Sequence, residues 1–89
     1  MTSFTAPAHI QARVTWDARR QRPASVITAG RRFAVARLVA RREEIAAFPA
    51  SRGPRVIYLL STDGGEIRLV FDVRLRQWHV EEEALAQAA

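Results

Sequence analysis

The feature that most constrains this chain is the alternation of apolar and polar residues in short runs. Over residues 10–17, every second position is apolar, at Ile10, Ala12, Val14 and Trp16. Residues 66–73 repeat the pattern, with apolar side chains at Ile67, Leu69, Phe71 and Val73. An extended chain places alternate residues on opposite faces, so both runs predict half-buried β-strands.

Three other runs predict strands in different environments. Residues 55–62 (RVIYLLST) are apolar on both faces and rich in β-branched and aromatic residues, which is typical of a central, covered strand. A short strand over 24–29 follows Pro23, which cannot donate to a sheet. A last strand carries Trp78 and Val80 on its inner side.

Turn signals separate these runs about every ten residues, most clearly at Gly30 and at the hairpin pair Asp63 and Gly64. The pattern predicts a mainly β fold of about six antiparallel strands, a meander that forms a small open barrel. We expect a single β domain over 9–81, a flexible arm over 1–8 and a short, frayed helical tail over 82–89.

Residues 31–48 (RRFAVARLVARREEIAAF) fit two structures. Their alanine content and the proline that follows favour a helix, with an apolar stripe at Val35, Leu38, Val39 and Ile45. Alternation also allows a strand over 31–42, followed by a turn or short helix over 43–48, although local propensity favours the helix. The alternative is an α+β fold with a helix over 33–48.

The order of motifs resembles an uncharacterised small bacterial domain found in actinobacteria and in the Deinococcus–Thermus group. The motifs are V-x-W-D, R-P, G-R-R-F-x-V, D-G-G and W-x-V, carried by Val14, Trp16, Asp17, Arg22, Pro23, Gly30, Arg31, Arg32, Phe33, Val35, Asp63, Gly64, Gly65, Trp78 and Val80. The resemblance implies a β-rich module in which the G-R-R-F segment is a strand, and for that reason we predict that residues 31–42 are extended. It implies no particular chemistry. Ala18 stands where the pattern commonly has glycine.

Composition excludes several kinds of chemistry. All 14 basic residues are arginine and there is no cysteine, which rules out disulfides, thiol nucleophiles, cysteine-ligated zinc and lysine Schiff bases. His9 and His79 lie on different predicted strands, and no phosphate-binding glycine motif occurs. We therefore expect no enzyme activity, no cofactor and no metal site. Residues 1–8 lack the features of a signal peptide, so the expected location is the cytoplasm.

Charge is divided unevenly along the chain. Residues 1–55 hold eleven arginines and three carboxylates, whereas residues 56–89 hold three arginines and six carboxylates. A basic half of this kind suggests nucleic acid or an acidic protein surface as partner. The predicted nucleic-acid or partner-binding residues are Arg13, Arg31, Arg32, Phe33, Arg37, Arg41 and Arg42. The function expected from them is a non-catalytic module that docks nucleic acid or a nucleic-acid-handling protein.

The same arginines allow a second interpretation. Simple alternation places Arg37 and Arg41 on the face of Phe33, where a lone charge would be costly to bury. A homodimer would resolve that conflict, so the alternative function is a homodimeric structural or adaptor protein acting through protein–protein contacts.

Four further residues are expected to serve the fold. Trp16 is predicted to anchor the core at the end of the first strand, and Trp78 is predicted to point inward. Asp17 is expected to bond its own backbone or to pair with an arginine of the next strand. Gly64 is expected to allow the tight hairpin turn.

Overall fold

The computed structural model describes residues 9–45 and 54–81, and these residues contain six β-strands and no helix. The strands are β1 (His9–Asp17), β2 (Arg22–Thr28), β3 (Arg31–Glu44), β4 (Arg55–Thr62), β5 (Gly65–Asp72) and β6 (Gln77–Glu81). The arm predicted over 1–8, the helical tail predicted over 82–89 and the end of the segment predicted over 43–48 lie outside the described residues.

Each strand pairs antiparallel with the next, and β1 also pairs with β6, so the sheet is a closed barrel. Across the closing seam, Ile10 lies opposite Val80 and Ala12 lies opposite Trp78. The predicted antiparallel meander of six strands is confirmed, whereas the predicted open barrel is wrong. No local pattern in the sequence pairs the first strand with the last, because that contact joins distant parts of the chain.

The strand predicted over 31–42 is confirmed and continues to Glu44, opposite Arg55 of β4. The alternative helix over 33–48 is wrong for residues 33–44. Alanine favours helix over the average residue by less than about 1 kcal/mol. Burial decides the outcome, since Val35 and Leu38 pack against the core from this strand.

The core fills the inside of the barrel, and every strand contributes buried side chains to it. Its buried members are Ala12, Val26, Phe33, Tyr58, Leu60, Ile67, Leu69 and Val80. Phe33 is only 1% exposed. An added Cβ at Gly64 would lie 2.8 Å from two atoms of the Phe33 ring, so this turn has no room for any larger residue. The expected turn role of Gly64 thus has a steric cause; the positive φ angle of the turn belongs to Gly65.

Two β-bulges change the direction of side chains in β3. Ala36 and Val39 are skipped in the register between β3 and β4, so each is the extra residue of a bulge. An extra residue moves those that follow it to the opposite face from simple alternation. The bulge at Ala36 therefore places Arg37 on the outer face of β3. The second bulge at Val39 restores the original alternation, so Arg41 lies on the side of the buried Tyr58, as simple alternation predicts.

The two ends of the barrel differ in their turns. At the upper end, β2 and β3 are joined by Ala29 and Gly30, both with positive φ, and β4 and β5 are joined by the Asp63 and Gly64 turn. At the lower end, four-residue turns over 18–21 and 73–76 join β1 to β2 and β5 to β6.

Candidate nucleic-acid interface

Three of the predicted arginines lie on one outer surface formed by β1, β2 and β3. Arg13 lies opposite Ile27, and Ile27 lies opposite Arg32, so the three residues form a row across the strands. The first bulge adds Arg37 to the same surface further along β3. We call Arg13, Arg32 and Arg37 the arginine face.

Nothing acidic in the described part of the chain neutralises the arginine face. The ion pairs between described residues all involve other arginines of the chain. No described carboxylate oxygen lies within 4.0 Å of a guanidinium nitrogen of Arg13, Arg32 or Arg37. All three residues are exposed. Ile27, between two of them, is 42% exposed. The surface therefore offers guanidinium groups together with a small apolar contact.

The other predicted arginines have partners. Arg41 binds Glu43 at 2.8 Å, and Arg42 binds Glu44 at 2.7 Å. The guanidinium carbon of Arg31 lies 4.7 Å from the centroid of the Phe33 ring. The predicted set thus divides into an unneutralised face and a group that is already engaged.

The surroundings of Phe33 and Arg37 differ from the prediction. Phe33 was expected beside the arginines as a binding aromatic, but its side chain is buried in the core and cannot stack on a base. Arg37 was expected on the face of Phe33, but the bulge at Ala36 carries it to the outer surface. The bulge thereby removes the predicted conflict of a charge buried among apolar side chains.

Two pKa shifts follow from the charges near the lower end. The pKa of Arg41 is raised, first by its hydrogen bond with the Tyr58 side chain and then by Glu43. The pKa of Glu44 is lowered, chiefly by its hydrogen bond from Arg55, whose Nε lies 2.7 Å from the carboxylate. Both shifts favour the charged forms of these side chains.

Aromatic rings gather at the lower end of the barrel. Trp16 meets Tyr58 edge to face at 6.1 Å between centroids, and it lies 6.4 Å from Trp78. Trp78 in turn lies 4.8 Å from Phe71. We call these four residues the aromatic end. Trp78 is half-buried, as its predicted inward direction requires, but Trp16 is 43% exposed and is no simple core anchor.

The two lower turns are alike in sequence and conformation. Both follow an aromatic residue and an aspartate, in the segments 16–22 (WDARRQR) and 71–77 (FDVRLRQ). Asp17 Oδ1 accepts from the backbone N–H groups of Arg19 and Arg20, as predicted, and Asp72 Oδ1 accepts from that of Leu75. Both turns end on a left-handed residue, with φ of 55° and 54°. Each turn carries two basic residues beside an aromatic ring, namely Arg19 and Arg20, and Arg74 and Arg76.

Within the described ranges, no three His, Asp or Glu residues converge as metal ligands. His79 lies on β6, and Arg68 pairs with Glu81 at 3.3 Å on the outer surface. A shallow outer groove is lined by Ala40, Arg42, Ile57, Leu59 and Arg68.

No family model, no curated protein and no solved structure matches this chain. The resemblance to the small bacterial domain therefore stays a prediction. Among the residues that the structure describes, no helix is long and apolar enough to cross a membrane.

Proposed function

We propose that this protein is a non-catalytic binding module that docks nucleic acid through the arginine face. The observation that carries the proposal is the clustering of Arg13, Arg32 and Arg37 on one outer surface without a described carboxylate partner. The proposal assumes a cytoplasmic protein with access to nucleic acid.

The arrangement suits phosphate groups for physical reasons. Neighbouring strands lie about 4.8 Å apart, so Arg13 and Arg32 are separated by about 10 Å across β2. Guanidinium groups bind phosphate oxygens by two parallel hydrogen bonds. A rigid barrel wall holds the side-chain roots in place, which reduces the entropy lost on binding.

Fluorescence anisotropy with labelled single- and double-stranded DNA tests the proposal. We expect binding at low salt, with log Kd rising linearly as log salt increases, because phosphate contacts release counterions. Absence of binding at low salt, or binding that ignores salt, would overturn the proposal.

Charge-matched variants locate the contact. The double variant Arg32→Gln/Arg37→Gln removes two charges from the arginine face, so the salt slope should fall by about 2 and Kd should rise at least tenfold. The control Arg42→Gln/Arg68→Gln removes two charges that already have carboxylate partners. Equal losses in both variants would mean that net charge alone, and no particular surface, drives binding.

A second candidate is the homodimeric adaptor, and the edge of β3 favours it. The pairing between β2 and β3 ends where Ser25 meets Ala34, so residues 37–44 have one edge without a described partner strand. An unpaired edge can accept a strand from a second copy. Sedimentation velocity over a range of concentrations separates the candidates, since a stable dimer without DNA affinity would favour the adaptor.

A further inference from the structure

The lower end of the barrel presents an exposed tryptophan between two arginine-bearing turns. We infer that this aromatic end binds the unpaired bases of single-stranded nucleic acid, with Trp16 stacking on a base and the arginines of both lower turns contacting phosphates. The inference rests on the proposed function for the class of partner. It adds a second contact region and a preference for single strands.

Trp16 is held in place and yet remains accessible. Its ring contacts Tyr58 edge to face and inclines by 35° to Trp78, so two neighbours fix its position. It nevertheless keeps 43% of its surface exposed. A fixed, accessible indole ring is the kind of platform on which bases of any sequence stack.

The charges around this ring favour an anionic partner. Residues 16–22, 41–45, 54–58 and 71–78 contain eight arginines and four carboxylates, a net charge of +4. All four carboxylates are engaged: Asp17 by backbone N–H groups and by Arg20, whose Nε lies 3.9 Å away, Asp72 by a backbone N–H group, Glu43 by Arg41, and Glu44 by Arg42 and Arg55. Backbone N–H groups and arginine side chains of the protein itself therefore already bind these carboxylates, and the net charge of the four segments remains positive.

The spatial arrangement was hidden by the order of the chain. Arg74 and Arg76 belong to the acidic half of the sequence, but the β5–β6 turn brings them to the same barrel end as Arg19 and Arg20. Each turn follows an aromatic member of the cluster, Trp16 or Phe71. Aromatic residues and arginines are thus interleaved in the two segments that form this end, and sites that follow a single strand combine the same two kinds of group.

Unpaired bases are required because stacking on Trp16 needs an accessible base face. Bases inside a duplex are covered on both faces by their neighbours, and taking one out costs a few kcal/mol. A single strand presents its bases without that cost. An apolar peptide is the competing occupant, because Leu75 is 60% exposed in the neighbouring turn.

Three DNA probes distinguish stacking from phosphate contact: a thymidine 12-mer, an abasic 12-mer with the same phosphates, and a 12-base-pair duplex. We expect the thymidine strand to bind about tenfold more tightly than the abasic strand, since base stacking on an aromatic ring contributes about 1–3 kcal/mol per base. Equal affinity for these two strands would overturn the inference and leave the proposed function intact. Failure of every probe to bind would overturn both.

Variants at the aromatic end identify the platform. Trp16→Leu should lose about tenfold in affinity for the thymidine strand, whereas Trp16→Phe should keep most of it because a stacking ring remains. Leu75→Ala, in the neighbouring turn, is the matched apolar control and should bind like the native protein. A loss in Leu75→Ala as large as that in Trp16→Leu would show that apolar surface in general, and no stacking ring, carries the affinity, and it would overturn the inference.

Intrinsic fluorescence gives a readout that is independent of the Leu variant and its folding. Stacking on Trp16 should quench emission when the thymidine strand is added to the native protein. In Trp16→Phe, Trp78 is the remaining tryptophan, so most of that quenching should disappear. Quenching that persists unchanged in Trp16→Phe would assign the contact to another part of the molecule and overturn the inference.

Discussion

The upper and lower ends of this barrel belong to the same six strands but close in different ways. At the upper end, tight turns press directly on the core, and Gly64 leaves no space above the Phe33 ring. At the lower end, the pairing of β2 with β3 stops at Ala34, and longer turns carry arginines around a partly exposed tryptophan. The upper end is built for burial, and the lower end gives up burial to leave a ring and charges accessible.

The difference shows how a small barrel can divide stability from binding. An 89-residue chain buries limited surface, so every fully covered ring contributes a large part of its stability. Phe33 and Trp16 are both large aromatics at strand ends, but only Phe33 is enclosed. Their substitution should therefore have unequal consequences.

The largest expected effect comes from emptying the upper core. Phe33→Ala should lower the free energy of unfolding by about 3–5 kcal/mol, because it removes a fully buried ring and leaves a cavity. In a domain of this size, the melting temperature should fall by at least about 12 °C. Circular dichroism during heating measures the change.

Trp16→Ala is the matched variant at the lower end. It should cost about 1–2 kcal/mol, because much of the ring is already in contact with water. Equal losses of stability in Phe33→Ala and Trp16→Ala would break the comparison, since Trp16 would then be a core residue like any other.

An intermediate effect is expected from adding one methyl group at the upper turn. Gly64→Ala should cost about 1–3 kcal/mol, because its Cβ would lie 2.8 Å from the Phe33 ring and one of them must move. The double-mutant cycle with Phe33→Leu sharpens the test, since a smaller side chain relieves the clash. Additive losses in that cycle would contradict a direct contact between the two residues.

The smallest effect concerns the gap between β2 and β3. A guanidinium nitrogen of Arg22 donates to the carbonyl oxygen of Ala36, the extra residue of the first bulge, at 3.2 Å. Arg22→Met keeps an apolar stem and should cost about 1 kcal/mol in urea unfolding. Arg20→Met, in the adjacent exposed turn, should change stability by less than about 0.5 kcal/mol. Equal changes in the free energy of unfolding for the two variants would show that this hydrogen bond does not stabilise the gap between β2 and β3.

Much of the fold could be predicted because strands and turns have local signatures. The alternation in β1 and β5, the two-sided apolar run of β4 and the Asp63–Gly64 turn each depend on neighbours in sequence. The direction of Arg37 could not be predicted, because a bulge is an unpaired residue relative to a partner strand. The burial of Phe33 could not be predicted for a related reason, because alternation defines two faces of a strand but does not show which of them is covered.

The candidate site was predictable in composition and only partly in arrangement. Arg13, Arg32 and Arg37 were recognised as basic residues of one region, but their common surface depends on strand register. The aromatic end could not be predicted from the sequence, because its four residues come from four separate strands, namely Trp16, Tyr58, Phe71 and Trp78. The similarity of the two lower turns is visible in the sequence, but only the structure shows that both turns lie at the same end of the barrel.

The sequence by itself determined where the chain is extended, where it turns and which chemistries it lacks, since these depend on local sterics, periodicity and residue type. The tertiary structure decided that the barrel closes, that the bulge at Ala36 turns Arg37 outward, and that rings and arginines from distant segments meet at the lower end. Those outcomes follow from pairing between remote strands and from the volume that the core must fill, and neither quantity can be read from neighbouring residues.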